Sequence, residues 1–218
     1  MACPSINAYL ARLGYTRFEG NTGLCPAKIE LLTHLSRNCK TALEIGFNAG
    51  HSADTILRAN PNIQLTSFDL GEHPYVAPAH HYIHFLHPNR HRLIVGDSTK
   101  TLPAFIKQFP NERFDLLFID GGHSYETALS DLNCCLTLAH KDSVIVMDDT
   151  IYVPNWEKDY SIGPTTVWKE AVANEFIRDD VRLTMDQWNG ISYGYINTET
   201  LSSKAVPTPP ASPQPEDC

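Results

Sequence analysis

Short apolar runs alternate with stretches of helical periodicity through most of this chain, which predicts a doubly wound α/β sheet. The runs Thr41–Ile45, Gln64–Phe68, Arg92–Val95, Phe114–Ile119 and Ser143–Met147 read as strands. Helical patterns separate them at Ser52–Ala59, Lys100–Gln108 and Tyr125–Leu138. In the last of these, Ala128, Leu129, Leu132, Leu136 and Ala139 fall on one face, as an amphipathic helix requires. The pattern then changes. After a loop over Ile151–Gly163, Thr165–Ile177 reads as a helix. Val181–Met185 and Ile191–Ile196 read as strands joined by a short turn at Asn189-Gly190. A hairpin cannot continue parallel crossovers, so the final strand should enter the sheet antiparallel. Residues 1–201 then form one domain, and the proline-rich segment 202–218 should be a disordered tail.

Composition narrows the class only a little. The 218 residues are 42% hydrophobic and 19% charged, as expected for one globular domain with a sizeable core. A net charge of -8 argues against a nucleic-acid partner, whose surface would want a basic stripe. No apolar window is long enough for a membrane span, and Met1–Asn7 lacks the basic and apolar blocks of a signal peptide. Cys3, Cys25, Cys39, Cys134, Cys135 and Cys218 form no C-x-x-C pair, which fits a reducing cytoplasm without disulfides. Association into a homo-oligomer is left open by the sequence.

The strand ends carry the chemistry. Phe118-Ile119 runs into Asp120-Gly121-Gly122-His123, and Val146-Met147 runs into Asp148-Asp149. In an open parallel sheet, ligands bind at the carboxyl ends of the strands. Three carboxylates and a histidine would therefore meet at one rim, which suits Mg²⁺ or Mn²⁺ and a general base. The plainer alternative is that Asp120, Asp148 and Asp149 cap helices or turns, and that His123 bonds to a backbone carbonyl.

A second cluster follows the first strand. Glu44-Ile45-Gly46-Phe47-Asn48-Ala49-Gly50-His51-Ser52 turns from strand to helix through two glycines, without the G-x-G-x-x-G of dinucleotide folds. Glu44 would repel phosphate but suits a cationic amino group. Asp69, followed by Leu70, ends the second strand, where a carboxylate can accept both ribose hydroxyls. Asp97-Ser98 ends the third, near an adenine. Together with Asp120, these residues describe a pocket for S-adenosylmethionine, a nucleoside with a sulfonium and no phosphate.

The set E-x-G-x-x-x-G-x-S, Asp69, Gly96-Asp97-Ser98 and F-D-x-x-F-I-D-G-x-H resembles the class I methyltransferases over roughly residues 20–197. The resemblance implies a Rossmann-like fold with a seven-stranded mixed sheet, order 3-2-1-4-5-7-6, strand 7 antiparallel, and helices on both faces. Asp-Gly-x-His followed by an acidic pair is similar to the macrocin and mycinamicin type of sugar O-methyltransferase. By position, that likeness makes His123 the base and Asp120, Asp148 and Asp149 the metal ligands. It implies a small-molecule or glycan acceptor. The catechol-type O-methyltransferases share the metal pattern but carry Asp-Asn where this chain has Asp-Asp, so a catechol or phenol acceptor is the alternative. A non-enzymatic cofactor-binding subunit is the more distant one.

Two further groups invite weaker readings. His73, His80, His81, His84, His87 and His91 crowd one segment, and His80, His84 and His87 have a spacing that could bind zinc. Pro74, Pro78 and Pro88 interrupt that segment, which favours a solvated, partly helical connection. Tyr15, Phe18, Asn21 and Thr22 precede the first strand, where related enzymes close over the methionine end of the cofactor. Tyr152, Trp156, Tyr160 and Trp188 could stack on an acceptor.

Overall fold

A computed structural model describes residues 4–20, 25–151, 159–185 and 190–203. Asn21, Thr22, Tyr152, Trp156, Trp188, Cys3, Cys218 and nearly all of the proline-rich tail lie outside them. Two helices, α1 (Ile6–Arg12) and α2 (Pro26–Ser36), precede the first strand. Then β1 (Thr41–Ile45), α3 (His51–Ala59), β2 (Gln64–Asp69), α4 (Val76–Leu86), β3 (His91–Val95), α5 (Ser98–Gln108), β4 (Phe114–Ile119), α6 (Tyr125–Thr137) and β5 (Ala139–Asp148) alternate. The chain closes with α7 (Ile162–Ala173), β6 (Ile177–Thr184), β7 (Gly190–Ile196) and α8 (Thr198–Ser203).

The seven strands form one sheet in the order β3-β2-β1-β4-β5-β7-β6. The first five pair in parallel, and β7 lies antiparallel to both β5 and β6. Side-chain alternation divides the core in two. Leu43, Ile45, Leu117, Ile119, Ile145 and Met147 pack with Leu102 and Phe105 of α5, Leu129 and Leu132 of α6 and Trp168 of α7. Ala42, Leu65, Leu116, Phe118 and Val146 point the other way, onto Leu10 of α1, Leu32 of α2, Ile56 and Leu57 of α3 and Ile83 of α4. Burial on both faces explains why these strands read as continuous apolar runs.

Local detail bears on several expectations. Asn189 of the expected short turn lies outside the described residues; Gly190 is the first residue of β7, paired with Thr184. A Cβ there would lie 2.1 Å from Ile151, so the close approach to the loop after β5 requires glycine. The histidine-rich segment contains a full helix, α4, because Pro78 stands in its first turn, where no intrahelical donor is needed, and Pro74 and Pro88 flank it. Nor is that segment simply solvated: His87 and His91 are buried, and His87 Nε2 bonds Asp54 Oδ1 at 2.8 Å. Finally, Cys25, Cys39, Cys134 and Cys135 are free thiols.

Candidate active site

β1 neighbours both β2 and β4, so the loops after these strands diverge and leave a crevice at their carboxyl ends. A cavity of about 980 Å³ runs along this rim, from Asp69 and Asp97 to His123 and Asp149. Its two ends differ in chemistry.

The first end is built on backbone geometry. Gly46 follows β1 at φ +95°, and Asn48 adopts φ +50° in the same turn. The Asn48 N–H donates to Asp69 Oδ2 at 2.7 Å, and the Gly71 N–H donates to Asp69 Oδ1 at 2.7 Å. Asp69 is thus held at the end of β2 with each oxygen keeping lone-pair capacity for a ligand hydroxyl. Asp97 caps α5, accepting from the Thr99 N–H at 3.0 Å and hydroxyl at 2.6 Å. Those Thr99 bonds and Lys100 keep its carboxyl below the ordinary range. Asp69, Leu70, Asp97, Ser98, Gly46, Asn48 and Ser52 all line the cavity.

Glu44 and Gly50 do not. The Glu44 side chain is fully buried beneath the wall and accepts a hydrogen bond from Ser67 Oγ at 2.6 Å. Burial pushes its carboxyl up to about 7, against the hydroxyls of Ser52 and Ser67. The contact expected between Glu44 and a cationic ligand is therefore corrected: Glu44 supports the wall from behind. Gly50 serves the turn, capping α3 at φ +78° with Phe47, Ile6 and Ile83 packed around it.

At the other end, the β4 and β5 termini bring Asp120, His123, Asp148 and Asp149 to one wall. Ser124, not Asp120, caps α6 through the Thr127 N–H, which leaves Asp120 free for the cavity. His123 is half-exposed, and its Nε2 lies 3.0 Å from Asp149 Oδ2. That bond raises the imidazole pKa, with further help from the charges of Asp149, Asp120 and Asp148 and in spite of partial burial. Burial pushes the Asp120 carboxyl well up, the neighbouring Asp148 charge adds to this, and Lys28 opposes it. Asp148 is likewise raised by burial, with Lys28 pulling it down.

These carboxylates oppose one another's ionisation, so the wall calls for positive charge. Ligating atoms of Asp120, His123 and Asp149 lie within 4.8 Å of one another, the one such group among the described residues. Two carboxylates beside an imidazole fit a hard divalent cation. The zinc spacing of His80, His84 and His87 forms no comparable cluster.

Residues 43–150 match the family model described as a methyltransferase domain. This is a class I methyltransferase domain. Its methyl donor, by class, is S-adenosylmethionine. No curated protein sequence matches the chain at a significant level. Among solved structures, cofactor-bound Rv0187 from MTB superposes with a TM-score of 0.72 at 19% identity, covering 89% of this chain and 90% of that one. An O-methyltransferase from Bacillus cereus in complex with SAH gives 0.69 at 16% identity, with 88% and 89% covered. The O-methyltransferase TomG from Streptomyces achromogenes, in complex with SAM, gives 0.68 at 15% identity, with 88% and 87% covered. These likenesses establish the shared fold.

The methyltransferase also has a wall residue that sequence reasoning missed. Lys28, on α2, reaches the cavity and forms a buried ion pair with Asp148 Oδ2. Burial alone would lower its pKa, but Asp148, Asp120 and Asp149 together raise it. A signal was present: Lys28, Leu32 and Ser36 recur every fourth residue on the buried face of α2. A lysine in register with a buried leucine needs a partner. Of the aromatic candidates, Tyr160 lines the cavity with its ring 5.3 Å from His123. Tyr15 and Phe18 pack edge-on to Tyr75 instead.

Proposed function

We propose that this methyltransferase transfers a methyl group from S-adenosylmethionine to a hydroxyl oxygen of a small-molecule or glycan acceptor, a sugar above all, with the aid of Mg²⁺ or Mn²⁺. The observation that carries the reading is the single cavity joining the Asp69–Asp97 end to the Asp120–His123–Asp149 wall. Donor and acceptor can share it without crossing a barrier. Asp120 and Asp149 would hold the cation as hard oxygen donors, with Asp148 close behind them. When bound, it supplies Lewis-acid polarisation of the acceptor hydroxyl.

The protein's own groups do the rest. With Nε2–H donating to Asp149, His123 keeps the Nδ1 lone pair to take the hydroxyl proton. The oxygen then forms a bond to the methyl carbon as the carbon–sulfur bond breaks. S-adenosylhomocysteine leaves, and the proton rests on His123. Holding the two reactants in line supplies much of the acceleration, since oriented reactions reach effective molarities of about 10⁵ M or more.

The sugar preference rests on the resemblance of Asp120-Gly-Gly-His123 with Asp148-Asp149 to the macrolide sugar enzymes. The Tyr160 ring beside His123 suits the apolar face of a sugar, and equally a catechol or phenol, which is the second reading. The free thiols fit a reducing cytoplasm. No helix among the described residues is long and apolar enough to cross a membrane. A panel of sugars, glycosylated compounds and catechols, assayed with labelled methyl donor, tests the acceptor class. Transfer to catechols alone would replace the sugar reading with the second one.

A further inference from the structure

The three strand-end carboxylates are not equivalent. Both oxygens of Asp148 are already engaged: Oδ2 by the Lys28 ammonium, and Oδ1 by the Asp149 N–H at 2.9 Å. The Asp148 side chain is 3% exposed and the Lys28 side chain 11%. Asp149, by contrast, uses one oxygen, on His123, and Asp120 is the carboxylate that completes the group of close-lying ligand atoms. Lys28 comes from α2, a helix packed on α3 and remote in sequence from both acidic loops, so the tether is independent of the loops it acts on.

We propose that Lys28 is a positioning residue that withdraws Asp148 from the metal site, so that Asp120 and Asp149 hold the divalent cation and Asp148 stays in a buried ion pair. A buried ammonium–carboxylate pair resists separation, because removing either partner strands a charge in a low-dielectric setting. The pair also keeps the wall's net charge moderate. Three free carboxylates around one cation would bind it tightly, whereas two leave room for an acceptor hydroxyl and water. The proposal rests on the reading that this wall holds a metal at all.

Mn²⁺ titration followed by calorimetry and electron paramagnetic resonance, on the full chain without methyl donor, tests it. Lys28→Met/Asp148→Asn deletes the pair at unchanged net charge, and should bind Mn²⁺ within about threefold of wild type, whereas Asp149→Asn should lose about tenfold or more. Lys28→Met alone frees Asp148 and should bind Mn²⁺ more tightly; Lys28→Arg should behave as wild type. If Lys28→Met does not fold, the double variant still decides the matter. Loss of Mn²⁺ in the double variant as complete as in Asp149→Asn would make Asp148 a direct ligand and overturn the proposal. If wild type binds no Mn²⁺ but Lys28→Met does, the resident-metal reading fails while Lys28 still governs the site. Binding in neither would remove both.

Discussion

A Cβ added to Gly46 would lie 1.9 Å from the main-chain oxygen of Asp120. The turn proposed to cradle the methyl donor and the loop that begins the acidic wall are thus in backbone contact. A hydrogen bond from the Asp120 N–H to the Ile45 carbonyl at 2.9 Å reinforces it, while the Gly46 N–H ties the turn to β2 through the Phe68 carbonyl at 2.8 Å. Donor end and reaction wall are set relative to each other by main chain, before any side chain contributes.

Gly46→Ala therefore meets two penalties, the clash and a φ of +95° that L side chains rarely adopt. It should lower stability by about 1–3 kcal/mol and abolish S-adenosylhomocysteine binding. Thermal melting and calorimetry measure both. Near-normal cofactor affinity in a folded variant would show that the contact is not needed.

Asp69→Ala removes the acceptor for two backbone N–H groups as well as the proposed ribose partner. Cofactor affinity should fall by about 10- to 100-fold, and Asp69→Asn should lose less, because its amide oxygen can still accept one of those bonds. Unchanged calorimetric binding in both would remove Asp69 from the cofactor site.

His123 has a pKa raised chiefly by its bond to Asp149. A base works when neutral, so with His123 in the proposed role the raised value moves the acid limb of catalysis upward in pH. In chelator-treated protein, NMR titration of the His123 ring should give a value above the ordinary 6.5, and Asp149→Asn should bring it down. His123→Ala should bind S-adenosylhomocysteine yet lose turnover by about 10²-fold or more. A ring that titrates normally in both proteins would deny the Asp149 partnership.

His91 gives the fold a separate acid sensitivity. It is buried against Ser67 and Phe47, and burial with the nearby His80, His87 and His84 lowers its pKa to about 3. The folded value lies below the unfolded one, so the unfolded chain binds more protons between them, and stability is lost as pH falls from about 6.5 towards 3. By pH 5 the loss should be about 2 kcal/mol. Glu44 acts oppositely: its folded value of about 7 exceeds the ordinary 4.5, so its contribution is full below about 4.5 and is lost as pH rises from there to 7, across the same range. Because Glu44 offsets it, the His91 share is read as a difference: relative to wild type, His91→Phe should gain about 2 kcal/mol in denaturant titrations between pH 7 and pH 5. A difference between variant and wild type that stays constant from pH 7 to pH 5 would contradict the His91 contribution.

The parallel strands were legible because both faces are buried and their runs stop abruptly on acids, as at Asp69, Asp120 and Asp148. The start of α5 was less legible, since capping by Asp97 begins the helix at Ser98, ahead of the Lys100 start that the apolar pattern suggests, whereas α6 begins at Tyr125 as read. α4 was obscured by prolines whose position within the first turn makes them harmless. Lys28 was hidden for a different reason. The spacing of Lys28, Leu32 and Ser36 places it on the buried face of α2, but its partner is 120 residues away and that pattern does not name it. Glu44 misled because a strand-end acid can face inward as well as out, and only the Ser67 bond across β2 shows which.

Methyl transfer from labelled S-adenosylmethionine to a hydroxyl-bearing acceptor panel, run in Mg²⁺ and in EDTA, bears most directly on the proposed chemistry. The expected result is label on the hydroxyl of a sugar-containing acceptor in Mg²⁺, none in EDTA, restoration by Mn²⁺, and none with His123→Ala. Full transfer in EDTA, or undiminished transfer by His123→Ala, would contradict it.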